Sequence, residues 1–562
     1  MKLLTEVQEI ADASLPRFEW TLKPFSRPRT RFDLVLVAPA SRDARQRDAT
    51  TSLKARLESS RLIERSELTS SGQIYVRLAD HSVQNAGAAL ERDGLPHFQL
   101  AFPRAIVVHY CDPNATKALH VGHLRNLAAG HALASTLAYL GARVEETSTV
   151  ADFGRNMAEA LAAIWPARDA TALFDVGKAD HVVGARYAEH VEGLTQADAG
   201  EHRNADRPLR REMSSSSDLA DELLQGMMAR RRDVAPLWRE VSRSVSAAQI
   251  QTLANLGIRF DSVVYASALV ERAQKLAARG TQLGVFQRGT DGCTRYETIR
   301  KGFASLSIQR SDGVPTQHAL ALAYWHWFLT NPRTSERTAL RVLGDEWKLA
   351  AACSQELIPR IVETEAPIAH PATFVFHGMV TMNGQAVKSS RTGSLLIDDL
   401  LAWLEARVAN AAASWRRGRS SLSSLADHAS EVAANVALGF FLTRPLAPRI
   451  DFGLEKIAPH RPTLGWLLAS AENQIAHRGI ATCGMKDDDD YRFAVIQAEL
   501  FPLYVQRVAL DYDVAPLSRY LLHLSQWYVE RIRSARVSAL VTAILREGAL
   551  ALGLRWGMDS SR

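Results

Sequence analysis

The chain has 562 residues, of which 47% are apolar and 23% charged, and this composition excludes a disordered or fibrous protein. Its length predicts three or four domains with an ample core. The formal net charge of +6 is small for so long a chain and favours an anionic partner only weakly.

Cysteine spacing and hydropathy indicate the cellular compartment in which the protein works. No stretch approaches the ~18 consecutive apolar residues of a membrane span, and the first residues are acidic where a signal peptide is basic and then apolar. We therefore expect a cytoplasmic protein that makes no use of a membrane. The cysteines lack the paired spacing of a zinc ribbon and suit a reducing compartment; they are Cys111, Cys293, Cys353 and Cys483.

Residues 1–104 predict a small α+β domain. Residues 31–37 and 74–78 have the apolar alternation of strands, and residues 50–60 place Leu53 and Leu57 on one face of a helix. Arginines cluster between residues 27 and 47. They form either a solvated basic face or a surface that contacts phosphates, and the sequence leaves both open.

A strand, a turn and a helix follow. Residues 105–109 are a β-branched apolar run, Pro113 and Asn114 turn the chain, and helical periodicity runs from Gly122 to a stop at Gly141. Such a turn points free N–H groups at an anion. His120 and His123 flank the glycine. A metal site is disfavoured because no cysteine or carboxylate has ligand spacing, whereas two structural histidines are an open alternative.

Strand and helix signals alternate over residues 105–402, which predicts a Rossmann-like parallel sheet with a helical insertion at about 159–248. Residues 144–150 read as the second strand. It delivers Asp152 to the carboxyl edge of the sheet, where a carboxylate can meet a substrate ammonium group. An ordinary Asp-Gly turn is the alternative. From residue 403 to 562 the pattern is that of an all-helical bundle.

A second motif lies near the end of the sheet region. Gly378, Met379 and Val380 read as a strand, and Asn383-Gly384 as a tight hairpin turn. A small cationic loop comes next, and it is suited to stabilising a departing pyrophosphate, although a basic loop without chemistry has the same composition. Its polar residues are Lys388, Ser389, Ser390 and Arg391.

These motifs resemble those of class I aminoacyl-tRNA synthetases. The string Pro113-Asn114, then Lys117, then residues 120–125 (His-Val-Gly-His-Leu-Arg) is similar to the arginyl-tRNA synthetase family in particular. Residues 310–316 and the loop at 388–393 resemble two further family motifs, the second a variant of Lys-Met-Ser-Lys. The resemblance implies a tRNA-contacting domain at 1–104, a catalytic domain at 105–402 and an anticodon-binding-like domain at 403–562.

The resemblance also implies roles. An amino acid would be activated by ATP, with Mg²⁺ carried by the nucleotide and no protein metal site, and then transferred to tRNA by a monomeric enzyme. His120, His123, Lys388 and Arg391 would be catalytic. ATP would be held by His120, Gly122, His123, Met379, Val380, Lys388, Ser389 and Ser390. The amino acid, arginine or a related one, would be held by Asn114, Asp152 and Gln317.

Three positions depart from the family pattern. Ala266, Gln317 and Ala321 stand where the family has a Glu, a Tyr and an Asp that face the arginine side chain. The sequence therefore leaves three hypotheses open: an arginine–tRNA ligase, a paralogue that uses another amino acid or acceptor, and an inactive tRNA-binding relative.

Overall fold

An antiparallel sheet, a parallel sheet and a run of helices follow one another along the chain in the computed structural model. It describes residues 3–4, 7, 9–10, 21–24, 32–37, 44–96, 105–168, 177–201, 209–297, 305–330, 337–361, 372–387, 394–416, 428–459, 461, 463–477, 488–530 and 534–556.

The N-terminal sheet is antiparallel with strand order β1-β2-β4-β3. Its strands are β1 (Thr21–Pro24), β2 (Leu34–Val37), β3 (Ile63–Leu68) and β4 (Ile74–Leu78), and its helices are α1 (Ala44–Ser59) and α2 (Asp80–Asp93). The predicted alternation is confirmed in β4, where Ile74, Val76 and Leu78 are buried. The predicted domain boundary at residue 104 falls in 97–104, outside the described residues.

The central sheet has five parallel strands in the order β12-β11-β5-β6-β7, as the strand–helix alternation predicts. They are β5 (Ala105–His109), β6 (Arg143–Val150), β7 (Ser262–Tyr265), β11 (Thr338–Gly344) and β12 (Thr373–His377). The chain leaves β5 on one side towards β6 and returns on its other side as β11. This reversal opens a crevice beside the carboxyl end of β5, where open parallel sheets bind ligands.

Helices alternate with these strands along the chain. They are α3 (Val121–Tyr139), α4 (Arg155–Ile164), α5 (Ala179–Glu201), α6 (Leu209–Met228), α7 (Ala235–Asn255), α8 (Val270–Gln282), α9 (Gln317–Thr330) and α10 (Lys348–Ile361). A small antiparallel sheet joins β8 (Gln287–Arg288), β9 (Thr294–Tyr296) and β10 (Leu306–Gln309). The predicted stop of the first helix is confirmed, because α3 ends two residues before Gly141, whose φ is 90°.

A third small sheet and the last helices complete the chain. They are β13 (Val380–Met382), β14 (Gln385–Ala386), β15 (Ile450–Phe452), α11 (Ile397–Arg416), α12 (Ala429–Leu442), α13 (Leu464–His477), α14 (Asp488–Asp511), α15 (Ala515–Val529) and α16 (Ala535–Ala551). The predicted hairpin turn joins β13 to β14, with φ of 51° at Asn383 and 74° at Gly384. Helix α11 runs across the predicted domain boundary at residue 402.

Helix α14 departs from the hydropathy expectation. By length and composition it is apolar enough to cross a membrane, which the sequence reading did not anticipate. The core helix of a soluble protein passes the same test, and 61% of its most apolar window is buried inside the protein. Val495, Ile496 and Leu500, for example, lie in the hydrophobic core.

Helix α14 also binds the N-terminal sheet through Arg492, whose side chain is 9% exposed. Its Nε donates to Oδ1 of Asp33 over 2.9 Å, and its Nη1 to Oδ1 of Asp80 over 2.6 Å. The backbone carbonyl of Leu78 accepts a further bond from Nη2. Breaking a buried ion pair from one side leaves an uncompensated charge, so this contact holds the two regions together.

We therefore predict that Arg492→Leu destabilises the protein, by less than the roughly 3–5 kcal/mol of a fully uncompensated buried charge, because Arg77 still lies 3.2 Å from the Asp33 carboxylate. The measurement is urea unfolding. Lys275→Ala is the matched control, since that lysine forms an exposed pair with Glu271 within one helix, and it should leave the unfolding midpoint unchanged. Equal effects of the two substitutions would contradict this account of the contact.

Candidate active site

A cavity of about 740 Å³ opens at the carboxyl ends of the central strands. Segments that follow β5, β6 and β7 line it, together with the ends of β11 and β12 and residues of α9. Of the residues predicted to bind ligands, four line this cavity: Asn114, Gly122, His123 and Gln317. The site therefore lies at the crevice that the strand order predicts.

The two motif histidines cap the helix that follows them. Nδ1 of His120 accepts the Gly122 N–H over 3.0 Å, and Nδ1 of His123 lies 3.1 Å from the His120 backbone nitrogen, which together make a capping box. The ring centroids are 4.0 Å apart. With its Nδ1 accepting, a neutral His120 carries its proton on Nε2 and can donate it to an anion.

Both imidazoles are neutral near pH 7. Burial lowers the pKa of His120 well below its usual value, and the nearby His123 and Lys117 lower it further. The pKa of His123 falls to about 4, again chiefly through burial and then through Lys117. The pair can therefore offer N–H donors to a phosphate without placing two positive charges side by side.

Gly122 has no room for a side chain. A Cβ on this residue would lie 2.7 Å from Nδ1 and Cε1 of the His120 ring, so the ring would have to leave its capping position. The same Cβ would lie 3.6 Å from Cβ of Val387. Glycine is required here by close approach and not by an unusual backbone angle.

The chain on both sides of the predicted catalytic loop is bound to the histidine motif. Lys388, Ser389, Ser390 and Arg391 themselves lie outside the described residues. Before the loop, Val387 contacts the position of Gly122. After it, the Leu395 carbonyl accepts the Val121 N–H over 3.1 Å, and the Ile397 N–H donates to the Leu119 carbonyl over 2.9 Å.

The strand predicted at residues 378–380, which includes two of the proposed ATP-binding residues, begins later than expected, because β13 starts at Val380 and not at Gly378. Met379 is exposed, and its carbonyl accepts the Ile450 N–H over 3.0 Å. Neither Met379 nor Val380 lines the cavity, and His120 lies behind Gly122 without lining it. The nucleotide contacts of these three residues stay predictions.

Asp152 faces the protein interior. It is 4% exposed, and its two carboxylate oxygens accept from Ser267, Oδ1 from the backbone N–H over 2.8 Å and Oδ2 from the hydroxyl over 2.6 Å. Burial raises its pKa, which the bonds from Ser267 oppose. Asp152 does not line the cavity in this conformation, so its contact with a substrate ammonium group also stays a prediction.

The sequence reading missed the residues that hold the crevice in shape. Asn126 joins two strands, because its Oδ1 accepts the Cys111 N–H over 2.7 Å and its Nδ2 donates to the Val342 carbonyl over 2.9 Å. Cys111 has a φ of 59°, which is rare outside glycine. The sequence signal that could have identified Asn126 is a polar residue one turn after the histidine motif.

Arg125 is 2% exposed, and within the described part of the chain its hydrogen bonds go to backbone carbonyls. Its Nη1 donates to Gly378 over 2.9 Å and to Pro448 over 2.6 Å, and its Nη2 donates to Pro445 over 2.8 Å and also to Leu446. Four oxygens from two separate segments thus converge on one guanidinium. It fixes the position of the strand that follows Gly378 relative to the histidine helix.

A cluster beside the site has the composition of a metal centre. Oxygen and nitrogen atoms of Asp180, His181 and Asp398 lie within 4.8 Å of one another. The ammonium of Lys178 is 2.6 Å from Asp398 and 3.3 Å from Asp180, so a cation of the protein already neutralises the group. These bonds join α5 to the first turn of α11, directly after the predicted loop.

Comparison with known proteins matches the site to one family. The profile described as "tRNA synthetases class I (R), catalytic domain" matches residues 86–173, which include the histidine motif and Asp152. The arginine–tRNA ligase of Amoebophilus asiaticus is 25% identical over 453 residues, covering 75% of this chain and 73% of that relative. The chain is therefore similar to arginyl-tRNA synthetases over about three quarters of its length.

Other members align over shorter stretches. The arginine–tRNA ligase of Treponema pallidum is 29% identical over 238 residues, which is 42% of this chain and 37% of that protein. The fold agrees over the whole length. The arginyl-tRNA synthetase of Thermus thermophilus superposes with a TM-score of 0.72 at 18% identity and covers 98% of this chain and 99% of its own. The Plasmodium falciparum enzyme gives 0.69 at 12% identity, with 99% and 98% covered.

We predict that Gly122→Ala weakens ATP binding at least tenfold, because the added methyl group displaces the His120 ring. Isothermal titration calorimetry measures the affinity. Gly193→Ala is the control: no atom lies within 4 Å of its Cβ position in helix α5, so ATP binding should be unchanged. Wild-type affinity in Gly122→Ala would show that the ring position does not matter for the nucleotide.

A second prediction concerns acid stability. The folded pKa of His120 lies below the unfolded value of about 6.5, so the unfolded state takes up the proton first as the pH falls below 6.5, and stability is lost. His120→Asn keeps a strong N-cap and removes this titration. The variant should lose less stability than wild type between pH 7 and 5, measured by urea unfolding.

The control for this acid series is His523→Asn, at an exposed histidine of α15. It should follow the wild-type pH dependence. If His120→Asn follows it as well, His120 does not contribute to the acid lability.

Proposed function

We propose that this chain is an ATP-dependent aminoacyl-tRNA ligase of the arginine–tRNA ligase type. A carboxylate oxygen of the amino acid attacks the α-phosphorus of ATP, and the bond to the bridging oxygen breaks, so that an aminoacyl-adenylate forms and pyrophosphate leaves. A ribose hydroxyl at the tRNA 3′ end then attacks the acyl carbon, loses its proton and displaces AMP.

The turn that carries His120 and His123 (the histidine turn, residues 119–123) is proposed to bind the nucleotide. The Nε2–H of His120 and the free N–H groups at the start of α3 are donors suited to phosphate oxygens, and Gly122 allows close approach of the adenosine. Mg²⁺ arrives with ATP and screens the phosphate charge. Asn114, Asp152 and Gln317 are proposed to hold the amino acid.

The loop supplies the leaving-group end. Lys388 and Arg391 are proposed to stabilise the charge that develops on pyrophosphate, with Ser389 and Ser390 donating hydrogen bonds. Positioning and charge stabilisation suffice for this displacement, and no side chain has to act as a general base. We also propose that the protein works in the cytoplasm, as a monomer, with tRNA as its acceptor.

One observation carries the proposal. Val387, before the loop, lies 3.6 Å from the position that a Cβ on Gly122 would occupy, and after the loop Leu395 and Ile397 are hydrogen-bonded to Val121 and Leu119. A loop held at the histidine turn from both ends is what a shared triphosphate site requires. The family match and the cavity beside His123 support the same reading.

Amino-acid-dependent exchange of labelled pyrophosphate into ATP tests the proposal, run with and without tRNA because members of this family usually need tRNA for activation. We predict that wild type exchanges and that His123→Ala loses at least a hundredfold in rate. His523→Ala is the control and should keep full activity. No exchange with any amino acid in the presence of tRNA would refute the proposed activity.

A further inference from the structure

One end of the cavity is closed by an ion pair of the protein itself. Nη2 of Arg341, at the end of β11, donates to Oδ2 of Asp112 over 2.7 Å. Oδ1 of the same carboxylate accepts from Nε2 of His109 over 2.8 Å and from the Thr149 N–H over 3.3 Å. Both Asp112 and Arg341 line the cavity.

This network fixes the charge of Asp112. Burial by itself would raise the pKa of the carboxyl group, but Arg341 and His109 outweigh burial and hold the pKa well below its usual range. His109 is 1% exposed, and burial lowers its pKa, so it donates as a neutral imidazole. Asp112 is therefore a carboxylate whose charge is already balanced by Arg341.

The rest of the cavity provides little negative charge that could bind a cationic substrate. Among the described residues that line it, the other carboxylate is Glu346, which is exposed to solvent, as Asp112 is, but has no described guanidinium beside it in the way that Arg341 lies beside Asp112. An exposed ion pair contributes little to binding, whereas desolvating a charged group that has no buried partner is costly. Ala266 and Ala321 add no polar group. A substrate guanidinium would also lie beside the guanidinium of Arg341.

The same network can accept a neutral polar group. Arg341 lines the cavity and is 8% exposed, and its hydrogen bond to Asp112 uses one of the five N–H donors that a guanidinium carries. Gln317 is exposed at the cavity wall and offers an amide. A carbonyl oxygen suits these donors. A substrate carboxylate does not, because the single positive charge of Arg341 already balances Asp112 and a second carboxylate beside it would be left uncompensated. A neutral amide or ureido group satisfies both conditions.

We propose that Arg341 is a specificity-determining residue that makes this site select an amino acid with an uncharged amide or ureido side chain over arginine. The inference rests on the proposed ligase function. The inference adds the chemical class of the substrate side chain to the proposed function, and it leaves the activation chemistry as described above.

L-Citrulline and L-arginine are the decisive pair of probes, since they have the same shape and differ in a carbonyl oxygen against a charged nitrogen. In pyrophosphate exchange with tRNA present, the kcat/KM of wild type for citrulline or L-glutamine should exceed that for arginine at least tenfold. A preference for arginine overturns the inference and leaves the proposed function intact.

Substitution of Arg341 should reverse the substrate preference. Arg341→Met frees Asp112 for a substrate cation, so the kcat/KM for arginine should rise at least tenfold and that for citrulline should fall. Arg341→Lys retains the charge and should retain the wild-type order of preference. Glu346→Gln, which removes the exposed carboxylate, should leave that order unchanged; loss of arginine use in this variant alone would show that Glu346 is the recognition residue and overturn the inference.

A direct binding measurement tests this inference without depending on catalytic turnover. Calorimetry with wild-type protein and ATP present compares citrulline, glutamine and arginine at millimolar concentration, whether or not exchange occurs and whether or not Arg341→Met folds. Tighter binding of citrulline or glutamine supports the inference. Tighter binding of arginine, or no binding of the two uncharged amino acids, overturns it.

Discussion

The first turn of α3 depends on two imidazoles that cap it. Their Nδ1 atoms lie at hydrogen-bond distance from backbone nitrogens that the helix itself leaves unpaired, and this contact orients the rings and keeps the opposite Nε2 of His120 available. Fold and site thus rely on the same atoms. The absence of a side chain at Gly122, the neutral state of both rings and the docking of the loop flanks all follow from this one arrangement.

Local signals were sufficient for the elements that deliver the site. A β-branched run predicted β5, Gly141 predicted the end of α3, and Asn383-Gly384 predicted the hairpin, because each depends on backbone preferences of a few adjacent residues. The parallel sheet followed from alternating periodicities. The site residues His123 and Asn114 lie at the cavity because the motif is short and continuous in the chain.

Long-range partners escaped prediction for a physical reason. Arg341 and Asp112 are 229 positions apart in sequence and meet because β11 pairs with β5, which no local pattern specifies. The turn of Asp152 towards Ser267 depends on the neighbouring strand β7 in the same way. The acceptors of Arg125 are backbone carbonyls. Every residue has one, so the identities of the accepting residues do not indicate this role in the sequence.

Arg125 has a mechanical consequence. Its guanidinium is bonded to the carbonyl of Gly378 and to those of Pro445, Leu446 and Pro448, and Gly378 lies so close to this segment that a Cβ would be 2.4 Å from the Ala447 carbonyl oxygen. The two segments are thereby coupled as one rigid body. A displacement of the chain after α12 would therefore reach helix α3 through Arg125 as well as through the direct packing of α12 against α3.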